Sequence, residues 1–376
     1  MNATPTVYDV AERSGVSIAT VSRVYRSPDS VRASTRERVV AAARELGYVP
    51  SGSARGLASR STGVLGLCFP DYSDPDATAD DADAMLYSDQ IIRGMERAAR
   101  RHGYALLIAA SLRGGPESLV AKVAGQVDGF AVMARTVSTE ELEVISRRRP
   151  VVMLAGPREG GDSLDHLDHI EAANEDGQRE LTRHLIEDHG LRRLAYVGTA
   201  EESPDVEARF RGFRQACRAA GVETADEPAL LVGMMTQAEG ARAADLLCDR
   251  PGERPEAFVF ANDQMAVGAL HALERRGLKV PDDVAVTGFD GIPLSRMVRP
   301  ALTTVCQPMV RMGEEATELL VQRLSGEQSG EPVSLMLPVS VARRASCGCR
   351  HAPETSAVPR RPVTLRTASA PSGRER

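Results

Sequence analysis

The chain has 376 residues, a net charge of −6 and 42% hydrophobic residues, enough for two or three domains and a sizeable core. No apolar run approaches the roughly 18 residues that cross a bilayer, which excludes a helical membrane protein. The start MNATPTVYD has neither the basic nor the apolar part of a secretion signal, so a cytoplasmic location is expected.

Thr6 to Tyr25, TVYDVAERSGVSIATVSRVY, reads as two short helices around a tight turn. Thr6 with Asp9 suits a capping box for a helix over Val7 to Ser14. Gly15 permits the turn, and Ser17 caps a second helix over Ile18 to Tyr25. Val10, Ala11, Val16, Val21 and Val24 fall on facing sides of the pair. Ile18, Ala19, Ser22 and Arg23 face outward, with small side chains that allow close approach to a surface and an arginine that reaches past them. This is the build of a helix-turn-helix, whose second helix enters the DNA major groove. Ser34-Thr35-Arg36-Glu37 has the pattern of a second capping box, opening a third helix that runs through Leu46 to Gly47. Val39, Ala42, Ala43 and Leu46 would close a three-helix headpiece over 1–49. The first 60 residues hold nine arginines against five carboxylates, so the basic charge sits where phosphates would.

DVAERSGVSIATVSRV resembles the lactose-repressor (LacI/GalR) family of bacterial transcription regulators. The resemblance implies DNA contacts from Thr6, Ser17, Ile18, Ala19, Thr20, Ser22, Arg23 and Thr35. Residues 50–61, with SGSARGLASRS, read alone as a flexible Gly/Ser-rich linker. Through the family they are the hinge, which becomes a short helix when two copies meet in the minor groove. Ala54 and Arg55 then touch DNA, and Leu57 takes the place of a leucine that wedges between base pairs. Ser51 departs from the family, where an asparagine is common.

From Thr62 the pattern changes to short apolar strands alternating with helices, the mark of parallel sheets. Strands are expected at Gly63–Phe69, Tyr104–Ala109, Gly129–Ala134 and Val151–Leu154. Helices are expected at Asp89–Arg101, Glu117–Ala124 and Thr139–Arg147. The pattern restarts with strands at Leu194–Val197, Leu230–Val232, Ala257–Phe260 and Ala285–Phe289. Helices near Ala173–His189, Val206–Ala220, Ala238–Cys248 and Gln264–Arg276 accompany them. A helix near Val310–Leu324, a strand near Val333–Val341 and a Pro/Ser/Arg-rich tail finish the chain. The fold class is therefore a helix-turn-helix headpiece plus a two-lobed α/β core over 62–345 with parallel sheets, similar to periplasmic binding proteins. Residues 346–376 are expected to be a disordered tail.

Ligands bind beyond the carboxyl ends of such strands. Asn262 and Asp263 follow one and cap the next helix; Asp290 ends another; Gln307 follows LTTVC; Arg209 lies in ARFRGF. FANDQMAVGAL, VTGFD and LTTVCQP resemble the family's core motifs. That resemblance makes Arg209, Asn262, Asp290 and Gln307 the residues that hydrogen-bond a small polar effector. Such a set suits hydroxyls, since arginine only donates, aspartate only accepts and amides do both. Ala155 stands where a ligand-binding aspartate is common. The long stretch PDYSDPDATADDADAMLY is either a solvated acidic loop or a lid, with Tyr72 or Tyr87 against the ligand.

Asp165-His166-Leu167-Asp168-His169 is read as a polar turn between lobes. Cys347-Gly348-Cys349, the one close cysteine pair, lacks a second pair at zinc spacing, so no metal is expected. The six cysteines are read as free thiols in a reducing compartment. A periplasmic solute-binding protein would share the core but have no headpiece. An enzyme would need one of the phosphate-cradle, nucleophile or metal motifs, and GxGxxG, Walker A, GxSxG and HExxH do not occur. The sequence thus points to a dimeric repressor of a pseudo-palindromic DNA site, without catalysis or a cofactor.

Overall fold

The computed structural model describes residues 5–49, 61–70, 86–111, 123–134, 136–155, 164, 166–201, 203–349 and 363–365. The chain divides into two compact units, Met1–Gly63 and Val64–Arg376.

The first unit holds α1 (Val7–Ser14), α2 (Ile18–Arg26) and α3 (Ala33–Leu46). The Thr6 amide donates to Asp9 Oδ2 at 2.7 Å, which fixes the start of α1; the Thr6 hydroxyl first, and then this amide, lower the Asp9 pKa. Gly15 turns the chain at φ 66°, and Ser17 Oγ accepts from the Thr20 amide at 3.2 Å. Val10, Val21, Val24, Val39, Ala42 and Ala43 form the shared core. One expectation is corrected: α3 begins at Ala33, behind Arg32, with no side-chain cap, so Ser34 and Thr35 lie inside its first turn. The helix is held instead by packing of Val39 and Ala43 in the headpiece core.

The second unit contains two sheets. The first, in order β13-β11-β5-β4-β3-β1-β2, is built from β1 (Val64–Pro70), β2 (Ala105–Ser111), β3 (Gly129–Met133), β4 (Val151–Leu154), β5 (Asp168–Ala172), β11 (Ser334–Leu337) and β13 (Val363–Leu365). All its pairings are parallel except β11 with β13. Alternation sends Leu65 and Leu67 to one face, against Ile91, Met95 and Met312, and Cys68, Phe130 and Val132 to the other. Helices α4 (Leu86–Arg101) and α5 (Thr139–Ser146) belong to this lobe, and α11 (Met309–Ser325) packs on α4. The second sheet, in order β12-β10-β9-β8-β6-β7, is built from β6 (Leu194–Thr199), β7 (Leu230–Val232), β8 (Ala257–Phe260), β9 (Ala285–Asp290), β10 (Thr303–Cys306) and β12 (Ser340–Ala342). Its helices include α6 (Asn174–Glu187), α7 (Pro204–Ala219), α8 (Gln237–Asp249) and α9 (Asp263–Arg275), with short α10 (Leu294–Met297) between β9 and β10. Tyr196, Phe258 and Phe260 are fully buried at its centre.

Three core expectations are corrected. Only the first part of the polar run is a turn, closed by the Leu167 amide on the Leu164 carbonyl at 2.9 Å; Asp168 and His169 instead open Asp168–Ala172, a buried strand between β4 and β11. Its charge is tolerated because Arg323 clasps Asp168 at 2.6 and 2.8 Å and the Val333 amide donates to it at 2.7 Å. The single strand expected at Val333–Val341 is two strands in different sheets, separated at Pro338. Proline has no amide to continue a ladder. The core does not end at 345: Ser346 and Cys347 are buried and Val363–Leu365 adds an edge strand. The hinge, the acidic stretch 71–85 and most of the helix expected at 117–124 lie outside the described residues.

Candidate functional site

On the headpiece, Ile18, Ala19, Ser22 and Arg23 are all exposed along one side of α2, as the spacing predicts. Thr6 and Ser17 are exposed, while Thr20 and Thr35 are half-buried, and the Thr20 hydroxyl lies 2.9 Å from Ser17 Oγ. Tyr8 is exposed on α1, an aromatic the sequence reading left aside. Ala54, Arg55 and Leu57 lie outside the described residues.

In the core, Arg209, Asp290 and Gln307 meet. Arg209 is placed by α7, whose first turn is capped by Ser203. Its Nη2 lies 3.4 Å from Asp290 Oδ1, its Nη1 donates to the Ala261 carbonyl at 2.5 Å and its Nε to Asn174 Oδ1 at 2.9 Å. The guanidinium also stacks 3.9 Å over the Phe289 ring. Gln307 Nε2 donates to Asp290 Oδ1 at 2.7 Å, while its buried Oε1 has no hydrogen-bond partner. A buried acceptor left open asks for a donor. An open depression of about 620 Å³ reaches Gln307 and is lined also by Gln90, Gly291, Arg296, Arg311 and Glu314.

Asp290 is held at φ 114°, a backbone region that a non-glycine residue occupies under strain. Burial pushes its carboxyl up to about 6, against the pull of Arg209 and Gln307. Asn262 is buried nearby, but both arms of its amide are occupied. Its Oδ1 caps α9 by accepting from the Met265 amide, and its Nδ2 donates to the Met235 carbonyl, each at 3.0 Å. It therefore borders the cluster through Ala261. Asp263 ties β9 to β10, accepting from Thr304 at 2.5 Å and from the Ile292 amide at 2.9 Å.

The sequence reading missed Asn174, Asp205 and Glu171. Asn174 bridges Arg209 and Asp205, donating to the latter at 2.9 Å. Burial, then Asp205, push the Glu171 carboxyl up to about 7. Asn174 follows β5 by two residues, so the strand-end rule would have found it had β5 been recognised. Tyr87 packs on the first-lobe core with its hydroxyl 4.0 Å from the Met312 sulfur. Cys347 and Cys349, for which the sequence offers no second pair at zinc spacing, have His184 and His189 against them in the fold.

Residues 6–51 match the description "Bacterial regulatory proteins, lacI family", and residues 182–347 match "Periplasmic binding protein-like domain". Catabolite control protein A of Priestia megaterium is 32% identical over 345 residues, 91% of this chain and 98% of that one. The transcriptional repressor CytR of Escherichia coli K12 is 32% identical over 338 residues, 88% and 93% of the two chains. The regulator CelR, solved with cellobiose, is 32% identical with a TM-score of 0.65, covering 91% of this chain and 99% of its own. The lac repressor dimer, solved on operator with the anti-inducer ONPF, is 26% identical with a TM-score of 0.74 and the same coverage. A helix-turn-helix in a headpiece of its own, together with a two-lobed core, places the molecule among DNA-binding transcription regulators. The full-length relatives narrow the class: the chain belongs to the LacI family of bacterial regulatory proteins.

Proposed function

We propose that this regulator is a cytoplasmic repressor that binds a pseudo-palindromic operator as a homodimer, under control of a small polar effector held between the lobes. The effector is a sugar or a related metabolite, and the protein catalyses no reaction. Thr6, Ser17, Ile18, Ala19, Thr20, Ser22, Arg23 and Thr35 form the major-groove set, and Ala54, Arg55 and Leu57 the hinge set. Arg209, Asp290 and Gln307 hold the effector, with Asn262 beside them. The observation that carries the reading is the open Gln307 acceptor next to a buried Arg209–Asp290 pair, a polar constellation larger than folding needs. The cellobiose bound to CelR supports a saccharide. In a family hinge, Leu57 would be the wedge: unstacking costs a few kcal/mol, offset by the contacts a bent duplex permits.

The test selects duplexes from a randomised pool, then measures mobility shifts with and without sugars and nucleosides. A panel of thermal shifts runs in parallel. A true effector stabilises the fold by about 2.7 kcal/mol at a hundred times its dissociation constant and changes operator affinity. Selection of no preferred sequence would end the reading. Leu57→Ala should lower operator affinity far more than affinity for random duplex; an unchanged bend and affinity would remove the hinge assignment.

A further inference from the structure

Four metal-binding side chains gather at the end of the second-lobe sheet opposite the effector cluster. His184 lies in the last turn of α6 and His189 just beyond it. Cys347 ends the 3-10 turn Ala345–Cys347, and Gly348, at φ 98°, reverses the chain before Cys349. Ser346 anchors that turn, donating to the Val286 carbonyl at 2.6 Å and accepting from the Thr303 amide at 2.8 Å. Val286 and Thr303 stand at the starts of β9 and β10, whereas Asp290 and Gln307 lie at or just past the ends of the same strands.

The ligand atoms of the four residues all lie within 4.8 Å of one another. His184 Nε2 is 3.2 Å from His189 Nε2, and 3.5 Å from each of the sulfurs of Cys347 and Cys349. Cys349 Sγ is 3.4 Å from His189 Nε2. A tetrahedral zinc ion, with its usual bonds to nitrogen and sulfur, sets its ligand atoms about 3.3 Å apart for two nitrogens and about 3.6 Å for nitrogen and sulfur. Four of the six edges of the tetrahedron thus stand close to those lengths, and the remaining two, both from the Cys347 sulfur, close from within 4.8 Å by a small rotation of that side chain. The second shell also fits. Asp188 Oδ2 lies 2.7 Å from His184 Nδ1 and is itself paired with Arg343 at 3.2 Å. A carboxylate takes the Nδ1 proton as its hydrogen bond, so Nε2 keeps its lone pair facing the centre. Two nitrogens and two sulfurs in this shape favour zinc, and four protein ligands leave no open position, which marks a structural site rather than a catalytic one.

We propose that His184, His189, Cys347 and Cys349 bind one zinc ion, which staples the segment that follows β12 to the end of α6. Binding converts both thiols to thiolates and releases their two protons to solvent, so the filled site is electrically neutral. The ligands come from two segments far apart in sequence, which is why Cys347-Gly348-Cys349 alone looks incomplete.

The experiment uses the full, untagged chain under reducing conditions, stripped with a chelator and titrated with Co²⁺ and then Zn²⁺. One cobalt per chain is expected, with the intense visible bands of a tetrahedral ion and a thiolate charge-transfer band, displaced by one zinc. Cys349→Ser and His189→Gln alter half-buried side chains and should fold normally by circular dichroism, yet lose metal affinity at least a hundred-fold. Asp188→Ala, which touches no metal, should lose about ten- to a hundred-fold. Chelation should lower the melting temperature of the wild type and leave that of Cys349→Ser unchanged. Weak octahedral bands, absence of bound cobalt, or wild-type affinity in the folded variants would each overturn the site.

Discussion

At the scale of single residues, the Arg209–Asp290–Gln307 cluster carries a cost in the absence of a ligand. Asp290 is strained and desolvated, and Gln307 Oε1 has no partner. Asp290→Asn keeps a hydrogen-bonding shape that tolerates positive φ but removes the charged acceptor. Effector affinity should fall roughly 5- to 150-fold, the equivalent of about 1–3 kcal/mol for ligand donors left poorly paired. Calorimetric titration checks this, and full affinity in both Asp290→Asn and Arg209→Lys would move the effector elsewhere. Glu171 makes a separate prediction. Its folded pKa of about 7 lies above the ordinary 4.5, so the folded chain holds this proton more tightly than the unfolded chain. That contribution is complete below pH 4.5 and is lost as pH rises through about 7. Glu171→Gln should therefore melt above wild type at alkaline pH and close to it in acid, in scanning calorimetry across that window; parallel curves would refute the assignment. The residues at this scale were unevenly legible. Arg209, Asp290 and Gln307 follow recognisable motifs, but Glu171 and Asn174 do not, because the buried charge of β5 disguises its start as a turn, and Asp205 reads as an ordinary acidic residue in the first turn of α7.

At the scale of elements, α4 and α11 approach so closely that a Cβ on Gly94 would sit 1.9 Å from the Val310 carbonyl oxygen, and one on Gly313 2.2 Å from that of Ile91. Both obstacles are backbone, which cannot rotate aside. Gly94→Ala must therefore push the two helices apart and loosen Ile91, Met95 and Met312 in the first-lobe core. A loss of about 1–3 kcal/mol or more is expected, read from urea unfolding. An unchanged midpoint would show that the helices slide without cost. The helices and most central strands were readable from apolar periodicity, because each repeats one environment along its length. Ser334–Ala342 was not, because periodicity cannot report that the chain leaves one sheet at Pro338 and joins another. Nor could the capping pattern at Ser34 be told from the actual start at Ala33, since no side chain caps it.

At the scale of the whole molecule, the headpiece and the core are two compact units, each with a hydrophobic core of its own. Arg23 is exposed on α2 and takes no part in the headpiece core. Arg23→Ala should leave melting and DNA-free effector affinity unchanged while weakening the operator complex. If Arg23 reads a guanine edge, the loss is about 1–3 kcal/mol per half-site and preference relaxes at one position. If it binds phosphate instead, affinity falls equally on every sequence and the salt dependence becomes shallower. The coupling between sites adds a constraint that neither titration alone contains. An effector that weakens operator binding by some factor must itself bind the operator complex more weakly by that same factor. Measured on wild type, the two factors should agree. In Asp290→Asn, effector affinity drops first and the coupling can be followed at saturating effector. A mutant that binds the effector weakly but keeps the full coupling factor places Asp290 in the binding set alone. One that binds normally and loses the coupling places it in the transmission between lobes and headpiece, and the effector contacts then rest on Gln307 and Arg209.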